Sequence, residues 1–110
     1  MSHLDNEQLA ELKDVLEDEF SVLVTTYLQD ADLRMQQIRE AFAKSDNEAC
    51  RLASHSLKGA SANLGATQLS AYCERLEHAC RAGQVADCGA LVSQVSHELL
   101  AVRRELEDLI

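Results

Sequence analysis

The chain has 110 residues, a formal net charge of −9 and no proline. Its length suits one domain, which we place at residues 1–110, with a small core of its own. Ten basic residues scattered among nineteen acidic ones argue against nucleic acid as a partner, because binding a phosphate backbone requires clustered Lys and Arg. No apolar run approaches the roughly 20 residues that cross a bilayer, and the first residues lack the features of a signal peptide. We therefore expect a cytoplasmic protein that does not bind membranes.

The four cysteines, Cys50, Cys73, Cys80 and Cys88, are interpreted as small apolar residues, because cytosolic thiols stay reduced. Zinc binding is the alternative, since Cys73 and Cys80 lie seven residues apart on one helix face. A structural zinc site usually contains a short Cys-x-x-Cys pair, which this spacing lacks, and His78 points away from that face. We therefore expect no metal site.

The first two helices are predicted from composition and from apolar spacing. Leu, Ala, Glu and Gln abound while glycine is rare, which favours helix throughout. A capped start at Asp5 and Gln8 predicts a short leading helix that carries Leu9, Leu12 and Leu16. The long second helix has an apolar stripe that steps by three or four residues. Its members are Phe20, Val24, Tyr27, Ala31, Met35, Ile38 and Phe42.

The third helix is predicted to begin near residue 46, where Ser45 and Glu48 match a capping box. It runs to about Leu64. Gly65 can then take the left-handed conformation that closes a helix, and Thr67 can cap the next one.

The fourth and fifth helices complete the predicted fold. The fourth stops at Gly83, and the start of the fifth is only loosely signalled between Val85 and Ala90. The apolar positions of the fourth helix are Leu69, Cys73, Leu76 and Cys80, and those of the fifth are Val95, Leu99, Val102, Leu106 and Leu109. Because short connections place successive helices antiparallel, we expect an all-α fold: an up-down-up-down antiparallel four-helix bundle with a short additional N-terminal helix.

His55 is the first candidate functional residue. A helix turns about 100° per residue, so the apolar residues of the third helix cluster on one side and His55 points roughly opposite their centre. We therefore expect His55 to be exposed. The same estimate also exposes His78 and His97, so exposure alone does not single out His55.

The neighbours of His55 distinguish it from the other histidines. Gly59 lies near His55 on the outward face, where a glycine costs up to about 1 kcal/mol relative to alanine but lets another surface come close. A tolerated glycine at a helix crossing is the alternative. Lys58, three residues after His55, can swing toward an anion attached to the imidazole; an ordinary solubilising lysine is the alternative. Arg51 and Ala62 complete a small cationic patch.

The chemistry open to this patch is nucleophilic. An uncharged imidazole keeps a lone pair on one ring nitrogen and reacts without an activating base. No serine or cysteine shows an identifiable base partner, and neither a glycine-rich phosphate loop nor a carboxylate pair stands out. Independent catalysis and ATP use are therefore disfavoured.

At these residues the chain resembles a histidine phosphotransfer (HPt) domain, the module that passes a phosphoryl group between receiver domains. The family pattern, roughly His-x-Leu-Lys-Gly followed by small residues and a Leu/Ile-Gly turn, is matched by residues 55–59 and by residues 64–66. The similarity continues downstream in the fourth helix and covers essentially the whole chain. The matching residues of that helix are Leu69, Cys73, Leu76 and Glu77.

The resemblance implies that His55 accepts a phosphoryl group, at Nε2, from the aspartyl phosphate of a hybrid sensor kinase's receiver. It would then donate that group to the receiver aspartate of a response regulator. Lys58 would help to balance the phosphoryl charge, and Gly59 would leave room for the partner. The receiver would supply Mg²⁺ and the acidic pocket, so this chain needs no cofactor of its own. It would be a monomeric phosphohistidine carrier without kinase activity.

Two hypotheses remain open on the sequence. Glu77 stands where certain members of the family have a glutamine. We hypothesise that Glu77 accepts a hydrogen bond from the His55 ring and thereby orients the ring. The alternative is that Glu77 is an ordinary surface glutamate. The alternative function is a non-catalytic interaction module that binds or dimerises through its leucine-rich last helix, in which Leu99 and Leu106 would carry the binding.

Overall fold

The computed structural model describes residues 3–110, which contain five α-helices and no strand. The helices are α1 (Asn6–Leu16), α2 (Glu19–Ala43), α3 (Asn47–Asn63), α4 (Thr67–Arg81) and α5 (Gly89–Glu107). A short 3-10 helix, Val85–Asp87, precedes α5. Across this part of the chain, no helix has the length and apolar character that a bilayer crossing requires. The predicted all-α class is confirmed.

Helices α2 to α5 form a closed ring in which each packs against the next and α2 also meets α5. The hydroxyls of Tyr27, early in α2, and Ser61, late in α3, are 2.8 Å apart. Arg39 of α2 donates to Ser96 of α5 at 2.7 Å, while the earlier Asp32 pairs with the later Arg103. Both pairings run antiparallel, which confirms the predicted bundle.

The predicted apolar stripes form the core. Every predicted core position of α2 is buried except Phe42, which is half-buried. In the C-terminal region, Leu109 lies beyond the end of α5 and is only partly buried. Leu99 and Leu106 are 5% and 0% exposed. The leucine face through which an interaction module would have bound is thus part of this protein's own core, and the alternative function has no free surface there.

Two predicted helix caps are wrong in detail. The cap of α3 is Asp46, whose Oδ1 accepts from the Ala49 N–H at 3.0 Å. Ser45 instead has a left-handed backbone with φ of 53°, so its hydroxyl is not in the capping position. Thr67 is already the first residue of α4, and no side chain caps that helix at Ala66. The cap predicted at Asp5 is confirmed, because its side chain accepts from the Gln8 N–H at 3.1 Å.

The N-terminal segment closes the exposed end of α3. The Asp5 N–H donates to the Gly65 carbonyl at 2.8 Å. The Gln8 side-chain amide donates to the carbonyls of Ala62 and Asn63 at 3.3 and 3.1 Å. The last carbonyls of a helix lack their usual partners within the helix. The Gln8 amide supplies a donor to the Asn63 carbonyl and a second donor to the Ala62 carbonyl, which also accepts from the Gly65 N–H at 3.0 Å.

All four cysteine thiols are free and buried. Burial raises the pKa of the Cys73 thiol to about 12 and also raises the pKa of the Cys80 thiol. Within residues 3–110, no group of three or more His, Cys, Asp or Glu side chains is arranged to hold a metal ion. The two thiols of the zinc alternative therefore lie in the core as packed apolar groups.

We predict that Gly65→Ala destabilises the fold more than Gly83→Ala. Both glycines have a φ of 76°, which costs an alanine about 1 kcal/mol. A Cβ at Gly65 would also lie 3.1 Å from the Asp5 Cβ and 3.3 Å from its backbone nitrogen, whereas nothing lies within 4 Å of one at Gly83. Urea unfolding should show a loss of about 1 kcal/mol for Gly83→Ala and about 2–3 kcal/mol for Gly65→Ala. Equal losses would contradict the close packing of Asp5 on this turn.

Candidate functional site

The candidate site lies on the outward face of α3. Ala53, Ser54 and Leu57 point into the core at 3%, 0% and 0% exposure, so His55 lies on the opposite, outward side of the helix. The side chain of His55 is 60% exposed, and both Gly59 and Ala62 are exposed. The exposure that the helical spacing predicted for His55 is thus confirmed.

Glu77 of α4 lies directly beneath this face, with its side chain only 4% exposed. Its Oε2 lies 2.9 Å from the Nδ1 of His55. Its Oε1 accepts a hydrogen bond from the Nζ of Lys58 at 2.7 Å. Arg81, one turn further along α4, donates from Nη2 to Oε2 at 2.8 Å. We call these four residues, His55, Lys58, Glu77 and Arg81, the Glu77 cluster.

The ionisation of Glu77 follows from the balance of burial and hydrogen bonding. Burial alone would raise the pKa of this carboxyl, but the hydrogen bonds from Lys58 and His55 outweigh it and hold the pKa below its ordinary value. Glu77 is therefore a carboxylate at neutral pH. A carboxylate only accepts hydrogen bonds, so its contact with His55 requires the proton on Nδ1.

The contact with Glu77 fixes which nitrogen of His55 carries the lone pair. A neutral imidazole with its proton on Nδ1 carries its lone pair on Nε2, on the opposite side of the ring. The buried carboxylate holds one side of the ring, and the exposed side presents Nε2 to the solvent. The geometry therefore supplies an oriented nucleophile with an open approach.

The structure brings together some of the predicted site residues and separates others. The hypothesised contact between Glu77 and His55 is present, and the alternative of an ordinary surface glutamate is wrong because Glu77 is buried. Lys58 is paired with Glu77 and is not a free cation. Arg51 stands apart from the cluster and pairs with Glu48 at 2.5 Å.

Arg81 is the member of the cluster that the sequence reasoning missed. Its separation of four residues from Glu77 is the spacing at which an ion pair forms on one helix. Given the hypothesised contact between Glu77 and His55, this spacing could have identified Arg81 as a further member of the cluster.

A second imidazole also meets a buried carboxylate. The Nδ1 of His3 lies 2.7 Å from Oε2 of Glu98, which is 6% exposed. This pair joins the N-terminal segment to α5. The residues three and four positions after His3 are Asn6 and Glu7, so His3 lacks the lysine and glycine that follow His55 at the same spacing.

Comparison with known proteins assigns the family. The Hpt domain family matches residues 22–109. Histidine-containing phosphotransfer protein 4 of Arabidopsis thaliana is 30% identical over 111 residues, covering 93% of this chain and 85% of the relative. This chain belongs to the Hpt domain family, as the sequence resemblance predicted. It is an intermediate in a phosphorelay, in which such proteins work with receiver domains.

Solved structures agree with this assignment. Histidine-containing phosphotransfer protein B (HptB) of Pseudomonas aeruginosa PAO1 superposes with a TM-score of 0.92 at 38% identity, over 96% of this chain and 92% of the other. The maize phosphotransfer protein ZmHP2 shares the fold, with a TM-score of 0.84 at 22% identity over 94% and 86% of the two chains.

We predict that Glu77 makes the stability of the protein depend on pH in the acid range. Because its folded pKa lies below its ordinary value of 4.5, its contribution is fully present above that value and is lost as the pH falls through the folded pKa. Glu77→Gln should lower the free energy of unfolding by about 1–2 kcal/mol at pH 7, since the cations it releases are partly exposed. Urea unfolding at pH 7, 5, 4 and 3 should show this difference shrinking with acidification. A difference that stays constant over this range would contradict the assignment.

Proposed function

We propose that His55 is the residue that is phosphorylated. It accepts a phosphoryl group at Nε2 from the receiver of a hybrid sensor kinase and donates it to the receiver of a response regulator. One observation carries the proposal: the buried carboxylate of Glu77 lies 2.9 Å from Nδ1 while 60% of the His55 side chain is exposed. Glu77 holds the ring at Nδ1, and Nε2 remains free to attack the phosphoryl group.

The transfer step needs no proton acceptor before attack. The Nε2 lone pair forms the N–P bond as the P–O bond to the receiver's aspartate breaks, and the aspartate keeps the electron pair as a carboxylate. Positive charge then develops on the ring, whose Nδ1–H faces the Glu77 carboxylate, and this contact stabilises it. The same step run backward returns the phosphoryl group, so one geometry serves both partners.

The other residues on this face of α3 balance the charge of the phosphoryl group and leave room for the receiver. Lys58 lies one turn from His55, with its side chain 27% exposed, and we assign it to balancing the phosphoryl charge. Gly59 has no side chain and Ala62 has a small one, so a receiver can come close to this face. Arg51, at the edge of this face, is a docking cation that Glu48 holds in place.

We further propose that the receiver supplies Mg²⁺ and the acidic pocket, while this chain contributes the nucleophile and a docking surface. Transfer of this kind depends mainly on positioning and electrostatics. The protein then acts as a monomeric carrier without an ATP site or kinase activity. We place it in the cytoplasm, because four unpaired thiols suit a reducing compartment.

We predict that His55→Ala abolishes phosphorylation. Incubation of the wild-type protein with a phosphorylated receiver should produce a label that is stable to base and labile to acid, as a phosphorus–nitrogen bond is. The variant should accept no label, because the attacking nitrogen is gone.

The matched controls for this experiment are His78→Ala and His97→Ala. Both residues are exposed histidines on other helices, so each substitution removes an imidazole without touching the Glu77 cluster. Both variants should be labelled like the wild type. Persistence of the label in His55→Ala would overturn the assignment.

We predict that Gly59→Ala separates stability from function. A Cβ at this position meets nothing within 4 Å, so replacing a helical glycine should raise the free energy of unfolding by about 0.5–1 kcal/mol. Transfer from the receiver should nevertheless slow, and Gly59→Leu should slow it further, because the added side chain stands where the partner docks.

Ala90→Leu is the control for added bulk. Ala90 is exposed on α5, which lies across the bundle from α3, and this variant should transfer at the wild-type rate. Normal transfer by Gly59→Leu would show that the receiver docks elsewhere.

A further inference from the structure

Arg81 occupies a position in the Glu77 cluster that the phosphorylation of His55 does not by itself explain. Its guanidinium binds the same oxygen of Glu77 that contacts the His55 ring. The Arg81 side chain is 57% exposed, so this cation lies at the surface beside the imidazole. Glu77 therefore has two full cations and one imidazole around a single buried charge.

Phosphorylation would create a competition for Lys58. The Nζ of Lys58 lies 2.7 Å from Glu77 Oε1, so it can turn to a phosphoryl group on His55 only by weakening that ion pair. A buried carboxylate that loses its partner is strongly destabilised. If Lys58 were the only cation on Glu77, stabilising the phosphoryl group would leave the buried charge unpaired.

We propose that Arg81 is a positioning residue that keeps the Glu77 carboxylate paired and so frees Lys58 to bind the phosphoryl group on His55. This inference rests on the proposed function. A guanidinium has five N–H donors and is always charged, so Arg81 can take over hydrogen bonds that Lys58 gives up. Its position one turn after Glu77 on the same helix allows it to do so without moving the backbone.

The charge balance of the cluster supports this role. Before transfer, Lys58 and Arg81 outweigh the carboxylate of Glu77, which leaves one net positive charge. The transferred PO₃ group brings one negative charge while the ring keeps its proton, and loss of that proton brings a second. The cluster thus passes from one positive charge through neutrality to one negative charge. Without Arg81 it would reach two negative charges.

The test is the equilibrium of phosphoryl exchange between this protein and a receiver, measured at concentrations where the complex is negligible. This constant depends only on the free phosphorylated and unphosphorylated proteins, so it does not respond to docking. Arg81→Gln should shift this equilibrium constant about threefold to tenfold toward the phosphorylated receiver, the size expected for losing one partly solvated charge at close range. The shift should be smaller at high salt. Arg81→Lys keeps the charge, so its constant should lie close to that of the wild type. Arg75→Gln removes the same charge from α4 at a residue that lies over the Tyr72 ring, and it should leave the constant unchanged.

The outcomes separate this inference from the proposed function. An unchanged exchange constant in Arg81→Gln, with transfer slowed equally in both directions, would make Arg81 a docking residue and overturn the inference. A shift of equal size in a Glu77→Gln background would also overturn it, because no buried charge then needs Arg81. Failure of the proposed function would appear elsewhere, as a label that persists in His55→Ala.

Discussion

The requirement that a buried carboxylate be paired connects the fold of this protein to its site. Glu77 lies in the contact between α3 and α4, with 4% of its side chain exposed, and its hydrogen-bonding partners come from both helices. The same pairing that stabilises the bundle interior also fixes the ring of His55.

The helices could be predicted because their signals are local. Periodic apolar residues and the absence of proline placed five helices, and Gly65 ended α3 in the left-handed conformation as expected. The errors fell at the caps, where neighbouring polar residues compete. Ser45 and Asp46 are both good capping residues, and the left-handed turn at Ser45 decides in favour of Asp46. Such a choice depends on how α2 ends, which one helix's sequence does not specify.

The features of the site that lie on one helix could be predicted from the spacing of that helix alone. The exposure of His55 and the open space over Gly59 follow from the angular spacing of α3. The burial of Glu77 and the pairing of Lys58 depend on how α3 and α4 are aligned, across 19 to 22 residues of sequence. Glu77 lies at the flank of the α4 stripe, where a small rotation of the helix exposes or buries it. The sequence therefore left the contact of Glu77 with His55 as a hypothesis beside the alternative of a surface glutamate, and the structure shows the contact.

The contact between an imidazole and a buried carboxylate occurs at a second place among the described residues. His3 and Glu98 form such a pair at 2.7 Å, at the junction of the N-terminal segment with α5. What distinguishes His55 is the pair of cations on Glu77 and the low surface at Gly59. A carrier must also release what it accepts, so a site that strongly favoured the phosphorylated state would trap the group. On the proposed charge balance, the cluster stays within one unit of neutrality in both states, which keeps transfer reversible.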